Sequence, residues 1–309
     1  MRKTLHNPLI TVVIATYNGE KFLRKQLDSI FNQTYSHLEI IAIDDCSTDS
    51  TVNILNEYAG RHDNFTVVSN DRNIGYIKNF EKGFLLANGN FIAPSDQDDI
   101  WLPNKIEVLL NSMSHHDIVY CNSAFIDSED MLMGDKLSDI KTLADFNNPL
   151  MYIVGASAPS HAMLLTKSVA IKAMPFPELF SHDNWLGFVA TFDSSVKFVN
   201  EVLVHYRRHY TNVFSTVHKK KKVKETVQLR IAKAQQRLQT LYDKCPDYLP
   251  EKDAILQICK SYENYSITNN FLRMRLFFQY RDKILLHKKY RHTGLRRWLH
   301  CVKRFYKMI

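Results

Sequence analysis

Over the first 120 residues, short apolar runs alternate with longer amphipathic ones. "LITVVIAT" (9–16) is rich in β-branched residues and apolar on both faces, as a central parallel strand is. "GEKFLRKQLDSIFNQ" follows, with Phe22, Leu23, Gln26, Leu27, Ile30 and Phe31 near helical spacing. "LEIIAIDD" (38–45) predicts the next strand and "STDSTVNILNEYAG" the next helix, with Ser, Thr and Asp as caps and Gly60 as its stop. "FTVVSN" (65–70), "YIKNFEKGFLLANG" (76–89), "NFIAPS" (90–95), "LPNKIEVLLNSM" (102–113) and "DIVYCN" (117–122) continue the rhythm. Pro103 falls where a first helical turn tolerates it. Repetition of this kind predicts an α/β fold, a parallel sheet covered by helices on both faces. Ligands of such sheets bind beyond the carboxyl ends of the strands. "TYNGE", "DDCSTDS", "NDRNIG" and "SDQDD" are therefore expected on one rim.

Beyond residue 120 the pattern loosens. "SEDMLMGDKLSDIKTLADFNNPLMYIVGASAPSHAM" is irregular and carries no decisive motif. After "VHKKKKVKETV" long polar–apolar segments with few glycines predict helices. In "GLRRWLHCVKRFYKMI" the apolar Leu295, Trp298, Leu299, Val302, Phe305 and Ile309 recur at helical spacing. Arg296, Arg297, Lys303, Arg304 and Lys307 fill the other positions. A basic amphipathic helix with Trp and Phe fits an anionic membrane surface. A helix docking its apolar stripe on the body of the protein fits the same pattern, and both readings stay open here.

With 309 residues the chain has room for one large domain and an appendage. Its net charge of +8 hides an asymmetry: residues 1–218 hold 17 Lys+Arg against 25 Asp+Glu, and residues 219–309 hold 23 against 7. An acidic body with a basic tail suggests two jobs. Cys46, Cys121, Cys245, Cys259 and Cys301 are scattered and form no C-x-x-C, which argues against a disulfide scaffold or zinc site and suits a reducing cytosol. "MRK" before "LITVVIA" imitates a signal peptide, but the apolar run is minimal and no small-x-small cleavage site follows, so a buried first strand is expected. No run of 18 apolar residues occurs, so no membrane span is expected.

"PSDQDDIW" (94–101) crowds Asp96, Asp98 and Asp99 into four positions at a strand end. Like charges this close raise one another's pKa unless a cation sits among them. Helix capping needs one oxygen and suffices to explain Ser47 and Asp49. Three carboxylates exceed it. A hard divalent cation, Mg²⁺ or Mn²⁺, takes one or two carboxylates together with substrate phosphate oxygens. Neither G-x-x-x-x-G-K-[ST] nor a G-x-G-x-x-G after the first strand is present, which argues against a P-loop kinase and a dinucleotide-dependent dehydrogenase.

"VVIATYNGEKFLRKQLDSIFNQTY", "EIIAIDDCSTDST", "NDRNIGYIKNF" and "SDQDDIW" resemble the nucleotide-sugar half of glycosyltransferase family 2, a GT-A fold with a mostly parallel sheet. "SHDNWLG" (181–187) and "YRRHYTNV" (206–213) look like segments of its rhamnosyltransferase-like branch. The resemblance covers about residues 8–215 and implies a catalytic domain over 1–217, with a nucleotide-sugar half (1–120) and an acceptor half (121–217), before a basic helical region over 218–309. It implies inverting transfer of one sugar, since the Q-x-x-R-W motif of processive synthases is absent. A divalent cation, Mn²⁺ or Mg²⁺, would sit on Asp98 and Asp96, with His209 as a further ligand. The donor, a dTDP- or UDP-sugar, would meet Ala15, Tyr17, Asp45, Lys78, Asp96 and Arg207. Asp183 would act as catalytic base; His182 stands where the family more often has Glu. The acceptor would be a glycan or lipid-linked glycan in surface polysaccharide or lipopolysaccharide synthesis, at the inner face of the cytoplasmic membrane. Two other readings compete: a nucleic-acid-binding protein using the basic tail, opposed by the acidic body and the lack of a binding motif, and an inactive scaffold, opposed by the intact acids.

Overall fold

The computed structural model describes residues 7–156, 158–208, 226–285 and 294–306. The apolar runs of the N-terminal region form parallel strands β1 (Ile10–Thr16), β2 (Leu38–Asp44), β3 (Phe65–Ser69) and β4 (Phe91–Ser95). Helices α1 (Leu23–Phe31), α2 (Thr51–Ala59) and α3 (Tyr76–Leu86) join them. Both faces of β1 are covered, which is why its sequence does not alternate. Val12 and Ile14 share a core with Leu23, Leu27 and Ile30 of α1. Val13 meets α3 at Gly83, where a Cβ would lie 2.3 Å from Val13 Cγ1. A glycine inside a helix costs about 1 kcal/mol relative to alanine; here it lets α3 approach the sheet.

Past β4 the sheet becomes mixed. β5 (Ile100–Trp101), α4 (Lys105–Asn111), β6 (Ile118–Ile126), β7 (Leu132–Lys136), α5 (Leu137–Ile140), β8 (Met163–Thr166), α6 (Lys167–Ala173), α7 (His182–Ala190) and β9 (Val196–Arg207) follow in chain order. The strand order is β3-β2-β1-β4-β8-β6-β9-β5, with β7 paired to β6. β8 runs antiparallel to both β4 and β6, and β5 antiparallel to β9, whereas β6 and β9 are parallel. The parallel arrangement expected from the alternating N-terminal runs holds for β1–β4. The irregular stretch between β6 and β8 lets the chain reverse, so β8 inserts the other way round.

The described residues divide into two compact units. One, made of 7–145, 158–190 and 194–208, contains the whole sheet. The second takes the short segments 146–156 and 191–193 together with the C-terminal helices. These are α8 (Val227–Lys244), α9 (Glu251–Ser261), α10 (Ile267–Gln279), α11 (Arg281–Ile284) and α12 (Gly294–Tyr306). The expected boundary at 217/218 falls outside the described residues. Arg273 is wholly buried in the second unit, where its guanidinium donates to Ser261 O at 2.6 Å, Asn270 Oδ1 at 2.6 Å and Arg304 O at 2.9 Å, joining α9, α10 and α12. Among the described residues no helix is long and apolar enough to cross a membrane.

Candidate active site

Loops at the carboxyl ends of β1 and β2 interlock. Asn18, left-handed at φ 47°, accepts from Thr48 N at 2.8 Å, and its own N–H donates to Ser47 Oγ at 2.9 Å. Gly19 N donates to Thr51 Oγ1 at 2.8 Å, Glu20 N to Asp49 Oδ2 at 3.1 Å, and Ser50 N back to Glu20 Oε2 at 2.9 Å. Asp49 caps as expected, accepting from Thr51 N at 2.9 Å; Ser47 instead links Asn18 to the buried Asp44. Cys46 turns the chain with a φ of 64°, a strained conformation of the kind that gathers at functional sites.

The acidic loop after β4 is clipped to this rim by Gln97. Its amide accepts from Tyr17 N at 2.8 Å and donates to Tyr17 O at 3.0 Å. Gly19 makes room for the clip, since a Cβ there would lie 2.3 Å from Gln97 Oε1. Asp45 is buried and shapes the "NDRNIG" loop: its carboxylate accepts from Ile74 N at 2.8 Å, Gly75 N at 2.9 Å and Asn70 Nδ2 at 3.0 Å.

Asp96, Asp98 and Asp99 are crowded as the sequence implies. Burial, then repulsion from Asp98 and Asp183, pushes Asp96 up to about 7. Asp99 is wholly buried and raised well above the usual carboxylate range by burial and then by Asp98 and Asp96. Its Oδ1 accepts from Arg207 N at 3.0 Å, while Oδ2 is buried without a hydrogen-bond partner among the described residues. Unbalanced negative charge and an orphaned carboxylate oxygen are what a hard cation relieves, so these residues fit Mn²⁺ or Mg²⁺. Asp96, Asp99 and His161 also bring one ligand atom each within 4.8 Å of one another. Beneath them lies Lys105, wholly buried, its ammonium donating to His161 O at 2.7 Å and sitting 3.2 Å from the Trp101 ring centroid. Burial lowers Lys105 to about 7 although Cys121, Asp99 and Asp96 favour its charge.

Asp183, in the first turn of α7, is near enough for its charge to raise Asp96 and Tyr76. The fold thus gathers Asp96, Asp98 and Asp183 from segments distant in sequence. His182 is buried, stacked on Phe80 at 4.4 Å and edge-on to Tyr76 at 5.9 Å. Burial pushes its pKa down to about 4, and neither ring nitrogen has a hydrogen-bond partner among the described residues. Lys141, also lowered by burial, feels the charge of Asp183.

Ala15 lies in β1 opposite Ile43, and Tyr17, 47% exposed, offers its ring at the rim. Lys78 on α3 pairs with Glu81 at 3.0 Å and donates to Phe176 O at 3.1 Å. Arg207 is fully buried: its guanidinium donates to Asp98 O and Asp127 O, both at 2.8 Å, pairs with Asp130 at 2.5 Å and lies 4.5 Å from the Phe22 ring. It holds the acidic loop from below. His209 lies outside the described residues. Trp101 and Trp185 are core residues. Gln97, Lys105, Lys141 and His161 were not singled out in the sequence. Only Lys105 left a signal there, a lysine on the inward face of α4 beside buried Ile106 and Leu109.

Three comparisons bear on this geometry. The chain is 32% identical over 149 residues to an uncharacterized glycosyltransferase of Haemophilus influenzae, covering 47% of this chain and 45% of that relative's length. Its structure resembles S. aureus TarS 1-349 in complex with UDP-GlcNAc, with a TM-score of 0.61 at 16% identity over 96% of this chain and 80% of that one. It also resembles the Pyrobaculum calidifontis mannosyltransferase PcManGT in complex with GDP-Man and Mn²⁺, with a TM-score of 0.54 at 16% identity over 97% and 86% of the two chains. At such identity the likeness speaks for the fold, which is the expected GT-A arrangement with C-terminal helices added. The model of glycosyl transferase family 2 matches residues 11–169, more than half of the sequence. With these strands, this acidic rim and that match, the chain belongs to glycosyl transferase family 2.

Proposed function

We propose that this protein is a metal-dependent, inverting glycosyltransferase that moves one sugar from a dTDP- or UDP-sugar to a hydroxyl of a glycan or lipid-linked acceptor. The observation that carries the reading is the convergence of Asp96 and Asp98, which follow β4, with Asp183 in the first turn of α7, where Asp96 is raised to about 7 by its surroundings. Asp98 and Asp96 would hold Mn²⁺ or Mg²⁺, with His209 as a further ligand. Bound there, the ion offsets the negative charge that develops on a departing diphosphate. The UDP-GlcNAc of the TarS structure and the GDP-Man and Mn²⁺ of the mannosyltransferase support a nucleotide-sugar donor and a divalent ion for this chain too.

The chain's own residues then divide the work. Tyr17 stacks on the base beside Ala15, and Asp45 keeps the adjoining loop closed while one of its lone pairs meets the base. Lys78 turns from Glu81 toward the diphosphate. Arg207 serves the donor by fixing the Asp98 carbonyl. Asp183 takes the proton of the attacking hydroxyl, help worth about 10²–10⁴-fold in rate. Attack from the side opposite the leaving diphosphate inverts the anomeric carbon. Rhamnose as the sugar, surface polysaccharide or lipopolysaccharide as the product, and work at the cytoplasmic face of a membrane complete the proposal.

Incubation with Mn²⁺ and a panel of nucleotide-sugars tests it. One donor should release nucleoside diphosphate in a metal-dependent way, and at about 100 times its dissociation constant should add roughly 2.7 kcal/mol of stability. Asp98→Ala should abolish both effects, and Asp183→Asn should lower turnover about 10²–10⁴-fold with donor binding kept. If no donor shows metal-dependent binding or turnover, the proposal fails.

A further inference from the structure

α12 (Gly294–Tyr306) leaves much of its apolar stripe uncovered, although Val302 and Phe305 are half-buried and Trp298 lies 5.9 Å from the Phe278 ring. Leu295, Trp298, Leu299 and Tyr306 are 67%, 50%, 43% and 71% exposed. Facing inward instead are Cys301, whose thiol donates to Phe277 O at 3.4 Å, and Arg304, whose guanidinium lies 5.1 Å from the Phe277 ring. At about 100° per residue, Leu295, Trp298, Leu299, Val302, Phe305 and Tyr306 share one arc, and Cys301 and Arg304 fall outside it. Exposed Arg296 and Lys303 border that arc.

α10 extends the same apolar surface. Phe271, 54% exposed, meets Phe305 edge-on at 4.8 Å, and Ile267 beside it on that helix is 71% exposed. A continuous apolar patch with a charged rim marks a docking surface. Charge selects the occupant. Residues 219–309 carry 23 Lys+Arg against 7 Asp+Glu. A second copy would set two such excesses against each other, whereas an anionic bilayer attracts one, and tryptophan favours the headgroup level.

We propose that the α10–α12 surface rests on an anionic lipid bilayer, with Phe271, Leu295, Trp298 and Leu299 in the headgroup–acyl boundary and Arg296 and Lys303 against lipid phosphates. The surface extends the membrane part of the functional reading and is independent of the sugar chemistry. Co-sedimentation of the full chain with vesicles of phosphatidylglycerol and phosphatidylethanolamine tests it, with phosphatidylcholine vesicles as the contrast. The chain has three tryptophans, of which Trp101 and Trp185 are 2% and 3% exposed, so a blue shift of emission on adding vesicles reports Trp298.

The expected result is binding to the anionic vesicles with that shift. Binding should weaken at least about tenfold in Trp298→Ser/Leu299→Ser, and Arg296→Gln/Lys303→Gln should show weaker binding with a shallower salt dependence. Unaltered far-UV circular dichroism and donor turnover would show both variants folded. Vesicle binding that survives both variants would overturn the surface while leaving the membrane reading standing. No vesicle binding by the parent chain would overturn both and leave the transferase reading untouched. A concentration-dependent dimer in vesicle-free buffer, lost in Trp298→Ser/Leu299→Ser, would assign the stripe to a second copy and overturn the proposal.

Discussion

Arg207→Met deletes a buried cation and keeps an apolar stem of similar length. Lost with the guanidinium are two hydrogen bonds to carbonyls, Asp98 O and Asp127 O at 2.8 Å, the pair with Asp130 at 2.5 Å, and the contact with the Phe22 ring at 4.5 Å. Hydrogen bonds from a charged donor contribute about 1.5–3 kcal/mol each. Breaking a buried ion pair costs about 3–5 kcal/mol, but Asp130 keeps Lys25 as a partner and is partly exposed, so that contribution sits well below this range. The carbonyl bonds dominate and give a loss of about 4 kcal/mol. At about 2–4 °C per kcal/mol for a domain of this size, the melting temperature should fall by roughly 8–16 °C. Arg207→Lys keeps the charge without the planar fork and should lose about half as much. Thermal melts followed by circular dichroism measure the effect, and Mn²⁺-dependent nucleotide binding below the transition shows whether the acidic loop has loosened. A melting temperature within about 2 °C of the parent, paired with a raised donor KM, would refute the reasoning and return Arg207 to the donor's diphosphate.

Gln97→Ala should cost about 1–3 kcal/mol by chemical denaturation, for two lost hydrogen bonds to Tyr17. Gly19→Ala should cost about the same by displacing Gln97, and the double variant should cost no more than either; additive losses would separate the two residues. Gly83→Ala places a methyl 2.3 Å from Val13 Cγ1 and should destabilise by about 1–3 kcal/mol. In a Val13→Ala background the same change should be neutral or stabilising by up to about 1 kcal/mol, and an undiminished penalty there would place the clash elsewhere. His182, with an ordinary value of 6.5, is held near 4 in the fold, so unfolding takes up a proton between these values. The stability it contributes is complete above pH 6.5 and lost as pH falls toward 4. His182→Phe should therefore flatten stability against pH there by about 1.4 kcal/mol per unit. Parallel curves for parent and variant would show that the ring is charged in the fold.

β1 and β2 were legible in the sequence because a strand buried on both faces reads as one unbroken apolar run. The strands from β7 onward were not, each for a physical reason. β7 is exposed at every position. β8 has four residues. β9 shifts register against β6 around Asn122, which breaks any alternation. At the site, Asp96 and Asp98 stood out because a cluster of acids exceeds what capping needs. Lys105 left only the trace of a lysine among the inward apolar positions of α4, and His161 left none, since its meaning comes from a contact with Lys105 across 56 positions that sequence spacing does not carry. Arg207 could be recognised as important, but its direction, down into the protein, follows from the buried carbonyls of Asp98 and Asp127.

The reciprocal bonding of residues 18–20 with 47–51 has a practical corollary for anyone seeking to change what this rim binds. The side chains of Asn18, Glu20, Ser47, Asp49 and Thr51 each accept from a backbone amide of the opposite loop, so replacing any of them leaves that amide without its partner and exchanges loop stability for diversity.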